Sequence, residues 1–544
     1  MHPFKYIGDS MKKIIIFLMF SRIAWATESN EEHNHSIQPS ANRMTNTIDK
    51  YDKSKTHLSQ RCLNISAVYI QGNTVLSDDS LPKIINKPDG CITIEYVHKL
   101  VGGIKNKYIN KGYIMTNVDV LPLNEKRELG INITEGVVER IEGTDNRTNP
   151  NFLFPGVQGK PLRLSEIDQA IDQANRLQSN QITLNLLPGS EEGMSIINVN
   201  NIDTKPWLLS TSVDNYGYKN VDEWQGRTSL TWDSPFKLSD FVTVNYNRTL
   251  ENTKKRYKYH YTLFYSVPYG AYTFSTTLNK SKSRRYEKLQ YQTITLSNNN
   301  ERYSIENKYI FHRNNKQINS VIANIEHKEI NSFINEAKLN INSYQNTVLE
   351  LGVNHYRRIP NGGINAYFSI EKGMPWLDAN RADKQNNPFL PRNDFIKNSM
   401  MLSLQRNFRL ADSDYQWSSI LAGQYSRRIL PGYEQLNLTE RGAVRGFSRS
   451  GLAGDNGWYT RNTISRYFFI KEAVLIPRLG ADTGRALQRN NKEGWRSSAG
   501  VSAGIGVHYK NALFDLETSR GWHLSGEYHK KEPLQFLFRT SYTF

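Results

Sequence analysis

Long apolar runs are missing from this sequence. The longest, Ile14 to Phe20, is far shorter than the roughly 20 residues that a membrane-spanning helix requires, so a helical membrane protein is excluded. Hydrophobic residues are only 38% of the chain, yet aromatics reach 11%, too many for a disordered polar chain. Also absent are a Gly-x-Ser-x-Gly elbow, a phosphate loop, His-Glu-x-x-His and Cys-x-x-Cys. Gly500, Gly504 and Gly506 do not make a dinucleotide fingerprint and read as small residues on a strand. No catalytic residue, metal or cofactor is therefore assigned. Basic residues are in excess, with a net charge of +17. Two classes survive: a large soluble basic protein, or a membrane β-barrel, whose alternating strands keep mean hydropathy low (−0.61 here).

The N-terminus favours export. Met11-Lys12-Lys13 precedes the apolar segment Ile14–Phe20, and Ala24-Trp25-Ala26 follows, the order of a secretory signal with cleavage after Ala26. Residues 1–26 are assigned to it, with Met1 to Ser10 as an upstream extension; a strand of the mature fold is the alternative. Cysteine is scarce as well. In an exported chain the two, Cys62 and Cys91, read as one disulfide, worth roughly 3–4 kcal/mol for a loop of about 30 residues. A zinc site would need two more ligands, and His98 is the only close candidate. Residues 27–60 are polar; Glu31-Glu32-His33-Asn34-His35 reads as a solvated linker rather than a metal site.

From Cys62 onward the pattern is that of a small α/β module, residues 61–135. Ile65 to Ile70 reads as a strand ending in the turn Gly72-Asn73. Ile94, Val97, Val101, Ile104 and Tyr108 then recur at helical spacing, with Thr93 placed to cap the helix and Gly112 to end it. Tyr113–Pro122 and Leu129–Thr134 read as two more strands. A second module, residues 136–203, repeats the plan. It has a strand Val137–Ile141, a helix opened by the capping box Ser165-x-x-Asp168 and striped by Ile167, Ile171, Ala174 and Leu177, and strands Ile182–Leu187 and Ser195–Asn201. That helix and the strand Ser195–Asn201 are expected to form a groove for cargo.

After Pro206-Trp207 helical periodicity disappears. Tyr257, Tyr259, Tyr261, Leu263, Tyr265 and Val267 alternate with Lys258, His260, Thr262, Phe264 and Ser266, and the last segment sets Phe536, Phe538, Tyr542 and Phe544 on one face. Residues 206–544 thus read as a transmembrane barrel of about 16 antiparallel strands, at about 9–11 residues per crossing plus connections. The fold class expected is a membrane all-β barrel preceded by two small α/β domains. Tyr542 and Phe544 are the candidate signal for barrel assembly.

Two segments stand apart from this alternation. One is a Gly-rich stretch from Leu430 to Asn462 that holds Val444-Arg445-Gly446-Phe447 and Gly454-Asp455-Asn456-Gly457. The other is Gly480-Ala481-Asp482-Thr483-Gly484, an acid on a strand between glycines. An Asp in a membrane strand is costly unless it faces the lumen and is paired. At these residues the chain resembles the outer-membrane transporters of two-partner secretion, the TpsB or haemolysin-activator type. Val444-Arg445-Gly446-Phe447 is similar to the family's loop motif, and Gly480, Asp482 and Gly484 to its strand motif. Lys160-Pro161-Leu162, Asn175-Arg176-Leu177 and Asp214-Asn215-x-Gly217 match its second periplasmic repeat and first barrel strand. Arg441-Gly442 departs from the paired glycines common there, and Gln178 stands where a proline often follows.

The resemblance implies a 16-stranded barrel, two polypeptide-transport-associated (POTRA) repeats in the periplasm, and a segment within 27–60 long enough to plug the barrel. The partners implied are a large secreted TpsA-type exoprotein (haemolysin, adhesin or contact-dependent toxin), outer-membrane lipid and the barrel-assembly machinery, with no nucleic acid. It also suggests that Arg445 pairs with Asp482, a contact worth about 1–3 kcal/mol in a hydrated lumen. A barrel-assembly insertase and a passive porin-type channel are the competing functions.

Overall fold

The computed structural model describes residues 65–544, apart from 78–80, 82–83, 87–91, 144–146, 203, 218–222, 252–255, 381–390, 449–450, 492 and 526–530. The signal region 1–26, the segment 27–60 and the Cys62–Cys91 pair lie outside the described residues.

The first module is a four-stranded sheet under one helix. Strands β1 (Ala67–Gln71), β2 (Ile84–Asn86), β3 (Asn117–Leu121) and β4 (Glu128–Thr134) lie in the order β2-β1-β4-β3, with β1 parallel to β4. Helix α1 (Ile94–Asn110) is capped where the sequence places the cap, Thr93 Oγ1 accepting from Tyr96 N at 3.2 Å. Val97, Ile104 and Tyr108 are its buried face, packed on Val68, Ile131 and Ile133. Tyr113 to Thr116 turn rather than extend, because Tyr113 folds back edge-on to Tyr108 at 6.3 Å.

Under that helix a carboxylate closes the module. Glu135 accepts from Thr74 N (2.9 Å), Val75 N (3.1 Å) and the Tyr108 hydroxyl (2.7 Å), as well as from Thr74 Oγ1. Burial disfavours its charge, but these donors outweigh burial and lower its pKa. A depressed folded pKa means that the stabilisation is whole above the ordinary glutamate value of about 4.3 and fades as the pH drops through the folded one. Glu135→Gln should therefore lower the melting temperature of this module in the full chain at neutral pH. It should also remove part of the wild type's acid-induced loss. Parallel pH profiles for the two proteins in melts followed by circular dichroism would contradict this.

The second module has strands β5 (Val137–Gly143), β6 (Ile182–Pro188) and β7 (Met194–Asn201), order β5-β7-β6, with a short helix α2 (Pro150–Leu153) and a longer one α3 (Leu164–Ala174). Helix α3 starts before the capping box read from the sequence. Ser165 already lies inside it, and Glu166 supplies the acceptor for Arg163 N at 3.0 Å. The expected groove beside Ser195–Asn201 is also corrected. That strand is central and hydrogen-bonded on both sides. The polar face of α3 is occupied by the barrel: Gln173 Nε2 donates to Thr273 Oγ1 at 2.9 Å, Arg313 Nη1 to Gln169 Oε1 at 3.0 Å, and Arg313 pairs with Asp172.

The barrel has sixteen strands, each antiparallel to its neighbours. They are β8 (Trp207–Asp214), β9 (Gln225–Asp233), β10 (Phe241–Thr249), β11 (Tyr257–Tyr269), β12 (Tyr272–Lys288), β13 (Thr293–Arg313), β14 (Gln317–Ile334), β15 (Tyr344–Ile359), β16 (Gly362–Met374), β17 (Ile396–Leu410), β18 (Ser413–Ser426), β19 (Asn456–Arg466), β20 (Ala473–Leu487), β21 (Trp495–Tyr509), β22 (Ala512–His523) and β23 (Gln535–Thr543). The short segments Ala337–Lys338 and Phe468–Ile470 extend two of the hairpins. Alternation puts Val321 and Ile325 of β14 on the outside and buries Ser320, Asn324 and Glu326 within. Two-residue turns at 270–271, 360–361, 411–412, 471–472 and 510–511 lie at the end that carries the modules, and the longest connection, between β18 and β19, lies at the other.

Closure rests on β8 and β23, which pair over Asp214↔Arg539 to Ser210↔Thr543. Beyond Asp214↔Arg539 the side chain of Asn215 takes over the ladder, donating to Phe536 O (2.9 Å) and accepting from Phe538 N (2.7 Å). Buried Asp214 holds Arg539 across the same seam at 3.2 Å and Arg227 of the neighbouring β9 at 3.1 Å. Tyr542 pairs with Thr211, and Phe544 N reaches Leu209 O at 2.8 Å.

Candidate functional site

Residues 427–448 and 451–455, between β18 and β19, do not extend outward as an ordinary surface loop. They fold into the lumen, where Leu438, Ala443, Val444, Phe447 and Leu452 pack against Ala422, Tyr459 and Ala486 of the wall. The ends of the loop are tied by the acid and amide of the Gly454–Gly457 motif. Asp455 accepts from Leu430 N (2.7 Å), Gln435 Nε2 (3.1 Å) and Arg489 N (2.8 Å), and Asn456 Oδ1 accepts from Ser426 N (2.6 Å). Thr439 Oγ1, accepting from Gly451 N and Leu452 N, draws the two limbs together.

At the tip of the loop Arg445 meets Asp482. Nε and Nη2 each lie 2.6 Å from one carboxylate oxygen, a planar fork on a planar acceptor, and the Arg445 backbone N–H adds a third contact at 3.0 Å. The remaining donors reach Asn462 O (2.6 Å) and Thr463 Oγ1 (3.2 Å) of β19. The two side chains are 5% and 0% exposed. The hydrated setting expected from the sequence is therefore corrected: the loop's own apolar packing excludes water from the pair.

Register explains how the loop comes so close. Arg461, Asp482, Gly500 and Gly521 are direct neighbours across β19, β20, β21 and β22, so they share the inner face in one row. A Cβ on Gly480 would lie 2.2 Å from Arg445 Nη2, one on Gly500 2.0 Å from Arg445 O, and one on Gly521 2.7 Å from the Phe447 ring. The wall is thus bare where the loop rests on it. Gly446 itself has φ +95°, a conformation that side chains disfavour, and its Cβ would strike Arg520. Phe447 packs tilted against His523, ring centroids 4.8 Å apart. Gly484 clears space for Leu438, its Cβ position being 3.1 Å from Leu438 Cδ2.

The structure thus brings together Val444, Arg445, Gly446, Phe447, Gly480, Asp482 and Gly484, and it adds residues that motif reading passed over. Arg461 Nη1 donates to Arg441 O at 2.7 Å, and Arg441, the departure from the glycine pair, donates to Tyr216 O and Gly217 O at 3.1 and 3.0 Å. The loop is thereby fastened to the end of β8 as well. The inward face of β19 carried a readable signal, since Arg461 is a charge in an alternating strand.

A closed barrel with an α/β pair docked at one mouth and a loop clamped inside its lumen defines a polypeptide-transport pore of the outer membrane. This chain belongs to the haemolysin secretion/activation protein family ShlB/FhaC/HecB, whose sequence model matches residues 193–507. Residues 63–136 match a ShlB-type POTRA domain and 137–188 a POTRA domain. The hemolysin transporter protein ShlB of Serratia marcescens is 44% identical over 89% of this chain and 87% of its own. The hemolysin transporter protein HpmB of Proteus mirabilis is 39% identical over the same shares. Among solved structures, CdiB from Escherichia coli superposes with a TM-score of 0.82, covering 92% of this chain and 93% of that one; at 23% identity it shows the shared fold.

Proposed function

We infer that this chain is the outer-membrane pore of a two-partner secretion system. Its POTRA modules stand in the periplasm and receive a large, unfolded TpsA-type exoprotein, and its barrel passes that partner across the membrane. The observation that carries this is the lumen loop: the inner face of the barrel is polar, and a segment clamped to that face lies within it. An extended chain cannot cross lipid, because its backbone groups would go unpaired, but a polar lumen satisfies them. Transport by this route uses no catalytic group. Insertase and passive-porin readings are not favoured, since the family is one of transporters and two modules precede the barrel among the described residues.

With β7 internal, strand addition by cargo falls to the sheet edges, β2 or β3 in the first module and β6 in the second. The working division is 61–135 and 136–203 for the modules and 206–544 for the barrel, supported by the two POTRA matches and by the closed sheet. Tyr542 and Phe544, partly exposed on the outer face of the closing strand, are the assembly signal in this reading. The partners of the two hemolysin transporters favour a haemolysin-type exoprotein here.

The test is an exchange. Replacing residues 62–202 with those of a relative that serves a different exoprotein should transfer partner preference, measured as each exoprotein released to the medium. Retention of the original preference would move recognition into the barrel.

A further inference from the structure

Glu434 lies on the same loop, eleven residues before Arg445, and is fully buried. The short turn Gly432–Glu434, opened by Pro431, points it away from the Asp482 wall. Its two carboxylate oxygens each meet an ammonium at 2.8 Å, Lys328 of β14 and Lys397 of β17. Both lysines are themselves held, Lys328 by Glu326 and Lys397 by Glu371, each at 2.7 Å, and Arg302 of β13 pairs with Glu326. The result is an alternating chain: Arg302, Glu326, Lys328, Glu434, Lys397, Glu371. Three cations balance three anions only while Glu434 is in place; without it the wall keeps one uncompensated positive charge. Tyr433 adds a stacked contact to Tyr344 of β15, with ring centroids 4.0 Å apart.

Strands β14 and β22 stand eight apart in a barrel of sixteen, so the loop touches opposite walls. We propose that Glu434 is a second positioning residue of the lumen loop, anchoring it to the β14–β17 wall, and that the two anchors together set the closed state of the pore. This deepens the secretion-pore reading and rests on it. Either anchor alone leaves the loop tethered to one side; release of both removes the two buried charge contacts that hold it across the lumen. The lysine pair offers no comparable partner to a neutral side chain, and an aspartate is too short to bridge both ammonium groups.

The experiment compares Glu434→Gln, Glu434→Asp, Arg445→Ala and the double variant Glu434→Gln/Arg445→Ala in planar bilayers with potassium chloride as the only probe. Folding is checked by heat-modifiable gel mobility. Glu434→Gln should raise the occupancy of the large-conductance state about tenfold, a shift typical of a lost buried tether. Glu434→Asp should fall between it and wild type, and the double variant should exceed both of its parents. Wild-type conductance in Glu434→Gln, or a double variant no different from Arg445→Ala, would overturn the proposal. Should Glu434→Gln fail to fold, Lys397→Gln, which removes one of the two contacts, gives the same comparison. The bilayer measurement needs no partner protein, so failure of the anchor shows there, whereas failure of the pore reading shows in the module exchange.

Discussion

Arg445→Ala is expected to reduce secretion of the exoprotein by about a hundredfold or more while leaving the barrel inserted. The size follows from burial. Asp482 would be left buried without the two 2.6 Å contacts that balance its charge, and such a loss costs about 3–5 kcal/mol. The barrel survives because its stability resides in sixteen hydrogen-bonded strands, to which this loop adds little. Asp482→Ala should match it, since the guanidinium then loses the same fork. The double variant should be little worse than either single one, as both remove one interaction. Arg445→Lys should fail nearly as badly, because an ammonium cannot present two parallel donors to one carboxylate. Exoprotein in the medium, measured beside heat-modifiable barrel in the membrane, decides the matter. Normal secretion by Arg445→Ala, or fully additive losses, would refute the clamp.

The second large effect is expected from a single methyl group. Gly500→Ala places a Cβ 2.0 Å from Arg445 O, where ordinary contact starts at 3.4 Å, so the loop must retreat by about 1.4 Å (3.4 less 2.0). A backbone carbonyl cannot swing aside as a flexible side chain does. A retreat of that size breaks a 2.6 Å fork, so Gly500→Ala should imitate Arg445→Ala in secretion with no change in any charge. Val501→Ala, one residue along but facing outward, is the control and should secrete normally. If Gly500→Ala also secretes normally, the loop does not rest on this wall when the pore works.

Much of this molecule was legible in the chain because its signals are local. Alternation at Tyr257–Val267 needs only neighbours two residues apart to declare a strand with one wet and one dry face. The stripe Val97, Ile104, Tyr108 needs only about three turns of one helix. Errors arose where a competing contact intervened. Tyr113 left its strand to meet Tyr108. The cap of α3 moved to Arg163 and Glu166 because the acceptor three residues on, and not Ser165, was in reach. Asp482 was readable as a site because a carboxylate on a membrane strand is expensive enough to demand a partner.

By itself, then, the sequence determined the class, a β-barrel with two α/β modules, and marked two charges in unusual settings, Arg445 and Asp482, whose pairing was suggested by the family resemblance. Tertiary structure alone decided how the lumen is furnished. Glu434 and Lys328 are 106 residues apart, and Asp214 and Arg539 are 325 apart; nothing local links them. Only closure of the sheet sets the register that lines up Arg461, Asp482, Gly500 and Gly521, and only the inward fold of the loop between β18 and β19 turns bare glycines into a seat and two lysines into an anchor. The physical reason is that hydrogen-bonded alternation fixes which face a residue takes, whereas its partner across the lumen depends on every strand in between.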